Sequence, residues 1–154
     1  MEEDFIKIKV LLDKNKFEYK IQEHPPVHTS EDAARIRNVD IKSGAKSMIV
    51  KADNNFYNFV VSAAKKLDWK KINLLLKTKK SRLASPEEVL KVMNCEIGSV
   101  PPFGNIHNLK VYCDPSLLEN EFIDFNAGLL TASIRMKSKD WVKIVVPEVV
   151  DFGK

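Results

Sequence analysis

The sequence predicts an α+β domain, a mixed, barrel-like β-sheet surrounded by helices. Three observations predict it. The apolar period switches repeatedly between about 3.6 and 2, in the order helix, strand, helix, two strands, helix, strand, helix, loop, two strands, helix. Strands follow one another directly in two places, which argues against a doubly wound parallel sheet. The chain has 154 residues, 44% of them apolar and 30% charged, which is the size and composition of one domain with a buried core. Residues 1–154 are therefore read as a single domain.

The elements follow in order. Residues 4–15, DFIKIKVLLDKN, place Phe5, Ile8, Leu11 and Leu12 on one helical face, with Asp4 near the N-terminus. KFEYKIQE alternates, with Phe17, Tyr19 and Ile21 on one side, and reads as a half-buried strand. HPPVHTS cannot be helical because of its paired prolines. Thr29 or Ser30 then caps a short helix, EDAARIRN. AKSMIVKA and NFYNFVVSA flank a DNN turn and predict a hairpin, since Asx residues tolerate positive φ. LDWKKINLLLKTK is a helix capped by Asp68, with Leu67, Ile72, Leu75 and Leu76 on its apolar side. SRLAS is a short strand. SPEEVLKVMN starts a helix with Ser85 at the cap, Pro86 at the first position and acids in the first turn. CEIGSVPPFGN has no room for regular structure. LKVYCD and LLTASIRM read as strands around a loop containing DFNAG, and SKDWVKIV as a last helix capped by Ser138.

Composition excludes several classes. No apolar run approaches the ~20 residues that span a bilayer, so no membrane partner is expected. The acidic N-terminus MEEDFIKIKV lacks the basic start and cleavage site of a secretory leader, which predicts a cytoplasmic protein. Cys95 and Cys113 are expected as reduced thiols, with no second pair to build a zinc site. Cys95 ends a helix, where the dipole disfavours a thiolate, and is a poor nucleophile. The net charge of +4 permits a polyanionic partner without demanding one. Its distribution is more telling. Eight basic residues fall between positions 65 and 82 (Lys65, Lys66, Lys70, Lys71, Lys77, Lys79, Lys80 and Arg82), opposed only by Asp68. They form either a solvated helix face or a patch for RNA phosphates.

No serine-hydrolase elbow, P-loop or dinucleotide fingerprint is present. His24 and His28 in HPPVH have metal-motif spacing, but the prolines forbid the helix that would align the rings, so no metal or cofactor is expected. His28 precedes a helix start, where it lines a pocket or bonds to the cap. Lys46, at the mouth of a strand in KSGAKSMIVKA, is either an edge charge or a cation aimed into a pocket. The loop GSVPPFG, stiffened by Pro101 and Pro102, is either a tight turn or a rigid cradle. In the second case the N–H groups of Gly98, Ser99 and Val100 would hold a carbonyl oxygen.

HPPVHTSEDAA, GAKSMIV, LDWKKI, SRLASPEEVLKVMNCEIGSVPPFG, VYCD and FNAGLLTASIRM, in that order, carry a resemblance over Phe17 to Ile144. The chain resembles the YbaK/prolyl-tRNA-editing domain family. The resemblance implies a barrel-like sheet wrapped by helices. It also implies a trans-acting aminoacyl-tRNA deacylase that hydrolyses the ester of mischarged tRNA, typically tRNA(Pro). Lys46 matches the family's functional lysine. Gly98 and Pro102 match its Gly-x-x-x-Pro loop, with Ser99 and Val100 between them. Thr29 and Ser30 fall where the family lines its pocket, with His28 beside them. Asn126 and Gly128 belong to its Asn-Ala-Gly segment and are read as substrate-binding. The partner implied is the acceptor end of tRNA, contacted by Lys70, Lys71, Lys77, Lys79, Lys80 and Arg82, with prolyl-tRNA synthetase as a further partner. Members that remove alanine often carry a histidine in the segment corresponding to DFNAG, where this chain has Phe125 and Asn126. That departure shifts the expectation to Cys-tRNA(Pro) or another small amino acid. A non-catalytic tRNA- or synthetase-binding module of the same fold is the alternative.

Overall fold

The computed structural model describes residues 2–27 and 29–154. Among these residues there are five α-helices: α1 (Glu2–Lys14), α2 (Ser30–Arg37), α3 (Trp69–Leu76), α4 (Pro86–Met93) and α5 (Ser138–Val145). Eight strands accompany them: β1 (Tyr19–Glu23), β2 (Ala45–Ala52), β3 (Asn55–Ser62), β4 (Ser81–Leu83), β5 (Lys110–Cys113), β6 (Phe122–Asn126), β7 (Ala132–Lys137) and β8 (Glu148–Val149). They form two sheets, ordered β1-β7-β6 and β4-β2-β3-β5-β8. The first is antiparallel; the second is mixed, because β5 runs parallel to both β3 and β8. The sheets meet at a bridge between Gly44 and Asp124 and do not close. The mixed α+β architecture expected from the sequence is thus present, with an open junction in place of a continuous barrel wall. Among the described residues no helix is long and apolar enough to cross a membrane.

Alternation along the strands sorts side chains into three cores. Val60, Val111 and Cys113 of the larger sheet share one with Ile123, Phe125, Ile134 and Met136 of the smaller, closed by Ile8 and Leu12 of α1 and by Trp141 of α5. Phe59 and Val61, on the opposite face of β3, pack with Val50, Tyr112, Phe152 and Ile72 of α3. β3 is therefore buried on both faces, as its apolar run FVV demands. Ile49 packs with Val89 and Met93 of α4, with Cys95 and with Val100. This third core seats the loop after α4.

Local signals fix most helix starts. The Thr29 hydroxyl accepts the Asp32 N–H at 3.0 Å, and Asp68 accepts the N–H groups of Lys70 and Lys71. Ser85 and Glu88 form a reciprocal capping box with Pro86 in the first turn. The hairpin turns at Asp53 with φ of 54°, as expected of an Asx residue.

Four expectations are corrected. Residues 122–126 are not loop but strand β6, because Asp124 is buried and satisfied by the Ser43 hydroxyl at 2.8 Å and by Arg135 at 2.7 Å. The helix expected over 67–79 ends at Leu76, with Lys77 left-handed at φ of 53°, so Lys77, Lys79 and Lys80 lie beyond it. Ser138 does not cap α5. Lys137 holds that position, while the Ser138 hydroxyl donates to the Asn120 carbonyl at 2.6 Å. Strand β8, too short to show a period, was not expected.

Candidate active site

A cavity of about 270 Å³ opens between α2, the start of β2 and the loop after α4. Thr29, Ser30, Lys46, Gly98, Val100 and Asn126 all line it. Residues up to 97 positions apart are thus brought to one wall (29 to 126). Small side chains, Ala33, Ala34 and Ala63, keep the space open. His28 lies outside the described residues.

Three expected site residues stand behind the wall. Ser99 is 1% exposed, and both its N–H and its hydroxyl donate to the Glu96 carbonyl, at 3.0 and 2.7 Å. Its N–H is therefore not an exposed donor, contrary to the expectation for this loop. A helix ending at Met93 needs a tight turn here, and that turn consumes the amide. Pro102 is buried, and its carbonyl accepts the Trp141 indole N–H at 2.9 Å, which keys the loop to α5. Gly128, at φ of 93°, donates its N–H to the Ser99 carbonyl at 3.0 Å. The N–H groups of Gly98 and Val100 have no partner among the described residues.

Lys46 sits on β2 opposite Val61, and its ammonium donates to the backbone carbonyl of Lys65. Burial lowers its pKa below the ordinary lysine value, Glu31 of α2 raises it, and Lys66 lowers it. No carboxylate lies within ion-pairing distance among the described residues. Lys46 is thus a cation at the cavity wall that holds only a neutral partner.

A second cation lines the cavity that the sequence reading did not single out. Arg37, in the last turn of α2, donates to the Ser133 hydroxyl at 2.9 Å and to the Asn126 side-chain oxygen at 3.2 Å. Burial pulls its pKa down and Asp124 raises it, yet an arginine stays charged. Sequence offered no signal beyond a basic residue at a helix C-terminus, where the dipole already favours one. His24, considered above only as a ligand, has its ring bonded to the Pro25 carbonyl at 2.8 Å and to Ser133 at 2.7 Å.

Neither thiol lines the cavity. Cys95 is buried, with its pKa pushed up to about 11 by burial and by Asp4, and Cys113 is pushed up to about 12 by burial and by Asp114.

Six basic residues were expected to contact tRNA, and they divide into two groups. Lys71 pairs with Asp151 at 3.0 Å, and Arg82 forms a two-pronged pair with Glu88 at 2.7 and 3.1 Å. Lys70, Lys77, Lys79 and Lys80 are exposed and pair with no acid among the described residues. Leu83, next to Arg82, lines the cavity.

Comparison with known proteins gives consistent results. A family model described as "Aminoacyl-tRNA editing domain" matches residues 24–144. The multifunctional Ser/Thr-tRNA deacylase ProXp-y of Escherichia coli K12 is 31% identical over 149 residues, covering 94% of this chain and 89% of that protein. The prolyl-tRNA editing protein ProX of Acetoanaerobium sticklandii is 25% identical over 140 residues, covering 87% and 85% of the two chains. A crystal structure described provisionally as a trans-editing enzyme for prolyl tRNA synthetase superposes with a TM-score of 0.86 at 28% identity, covering 98% of this chain and 97% of that one.

Proposed function

Because the chain belongs to the aminoacyl-tRNA editing domain family, we propose that it is a trans-acting deacylase that removes a small polar amino acid from mischarged tRNA. The observation that carries this reading is the convergence on one small-walled cavity of Lys46 and Val100, a residue whose N–H has no partner among the described residues.

The chemistry follows from that geometry. Water adds through its oxygen to the ester carbonyl carbon. The carbonyl oxygen gains negative charge, and the Val100 N–H stabilises it as a fixed donor. The bond from that carbon to the ribose oxygen then breaks, and the ribose oxygen leaves with a proton. Lys46 holds the sugar–phosphate of the terminal adenosine, or the ester itself, as a cation. The step requires no protein nucleophile and no cofactor.

Serine and threonine are the amino acids best supported. The E. coli relative is named for them, and Ser30, whose hydroxyl has no partner among the described residues, is one of the residues lining the cavity. A site that hydrogen-bonds a substrate hydroxyl discriminates far better than a purely apolar one, where a methylene is worth about 1–3 kcal/mol. Cysteine stays in the same size class. The proline-specific names of other relatives support tRNA(Pro) as the carrier and prolyl-tRNA synthetase as the source of the error. Residues 1–154 would act as one unit, in the cytoplasm, where charged tRNA is found.

The deciding experiment charges tRNA(Pro) separately with serine, threonine, cysteine, alanine and proline and follows ester loss. Serine and threonine should be cleared fastest and proline spared. Binding of tRNA without loss of any ester would leave a binding module and overturn the enzyme reading.

The free lysines give a second expectation. Binding should weaken with salt at a log–log slope of about 0.9 per phosphate neutralised on a duplex. Changing Lys70, Lys77, Lys79 and Lys80 together to Gln should flatten that slope markedly. An unchanged slope in a filter-binding titration would return these lysines to an ordinary solvated surface.

A further inference from the structure

Resting on the deacylase reading, we infer that Arg37 and Asn126 are positioning residues that aim the Val100 N–H at the reacting ester. A trans peptide unit is planar, so its C=O and N–H point in opposite directions and holding one aims the other. The unit joining Gly98 and Ser99 is held at both ends. Its carbonyl accepts Asn126 Nδ2 at 2.6 Å, and its N–H donates to the Glu96 carbonyl at 3.0 Å. The next unit is held at one end only: the Ser99 carbonyl accepts the Gly128 N–H at 3.0 Å. Its other end is the Val100 N–H, left without a partner among the described residues in a residue that lines the cavity. The end of β6 and the residues just after it therefore set the direction of this one of the loop's two unpartnered donors, the other being the Gly98 N–H.

Asn126 can do this in one orientation only. Arginine donates and never accepts, so the amide oxygen must face Arg37 Nη2, and Nδ2 then faces the Gly98 carbonyl. Arg37 is fixed in turn by the Ser133 hydroxyl, which is 3% exposed and bonded to the His24 ring. Gly98 and Gly128 both lie in the left-handed region, at φ of 89° and 93°. The clamp thus holds a backbone shape that both flanking glycines leave free to change.

The test measures deacylation kinetics and amide hydrogen exchange on Asn126→Asp, Asn126→Ala, Arg37→Lys and Arg37→Met. A misplaced or lost oxyanion donor costs on the order of 10²-fold in kcat, so kcat should fall by about that factor with KM nearly unchanged. Asn126→Asp should be as impaired as Asn126→Ala, although it fills the same space, because a carboxylate keeps Arg37 and cannot donate to Gly98. Arg37→Lys should recover part of what Arg37→Met loses. Exchange at the Ser99 and Gly128 amides should quicken, while that at Val50, at the centre of β2, should not. Full kcat with unchanged exchange in Asn126→Asp overturns the inference. So does a rise in KM alone in Arg37→Met, which would make Arg37 a direct substrate contact. A wild-type protein inactive on every charged tRNA removes the deacylase reading instead, and the exchange data then decide the clamp alone.

Discussion

Lys46→Ala should abolish deacylation, with kcat/KM down by about 10²-fold or more, and leave the fold intact. The magnitude is that of removing one electrostatic contact to developing charge in a water-poor site. The fold should survive because among the described residues the Lys46 side chain donates one hydrogen bond, to the Lys65 carbonyl, and packs in none of the three cores. Replacing His24 or His107 should cost less, since neither lines the cavity. The pH profile offers an independent check. Burial lowers the Lys46 pKa, so an activity that needs its charge falls on the alkaline side below the ordinary lysine value of about 10.4. Melting temperatures and rates of wild type and variant decide the matter together. A folded Lys46→Ala protein with wild-type rates would exclude the cation from the reaction.

Asp114→Ala should cost about 3 kcal/mol of stability, the largest loss expected from a single polar deletion. This carboxylate is 1% exposed and accepts the N–H groups of Ser116, Phe152 and Gly153, at 3.0, 3.0 and 2.8 Å. Its removal strands at least two buried donors, each worth about 1–3 kcal/mol when left unpaired. The effect reaches the site. The last residues pair back on the segment carrying Lys65, through a Leu67–Gly153 bridge and reciprocal Lys66–Lys154 bonds at 2.9 and 2.8 Å. That segment supplies the carbonyl that holds Lys46. Hydrogen bonds to the ionised form keep the Asp114 pKa below the ordinary Asp value, so they outweigh the opposing effect of burial. Its folded-state pKa is therefore depressed. The stability it contributes is full above the ordinary value of about 3.9 and is lost as pH falls through the lower folded value. Denaturant titrations of wild type and Asp114→Asn at pH 7 and pH 3 should show the gap between them narrowing in acid. A gap independent of pH would assign the loss to packing alone.

How far sequence reached depended on the range of the interaction involved. The cap of α4 was readable because Ser85, Pro86 and Glu88 satisfy one another within a single turn. The Asp68 cap was readable for the same reason, and the α2 cap was narrowed to Thr29 or Ser30, of which the structure uses Thr29. β6 was not, because Asp124 and Asn126 have the composition of a turn. Ser43, 81 positions away, and Arg135, on the neighbouring strand, together make a buried aspartate acceptable in a strand. The six basic residues were visible as a run, but their pairing was not: Asp151 neutralises Lys71 from 80 positions away.

The site divides along the same line. Composition and spacing determined an α+β domain and left Lys46 and the Gly98–Pro102 loop with two readings each; the resemblance to the editing family carried by the ordered motifs decided those readings and added Asn126. Tertiary structure decided which of these reach the cavity. It tied the Ser99 amide to Glu96, left the Gly98 and Val100 amides without partners among the described residues, and brought in Arg37, whose partners lie 89 and 96 positions away. The physical reason is that backbone propensity and capping are settled within a turn or two. The direction of a peptide N–H and the partner of a buried charge are settled only when distant strands close around them.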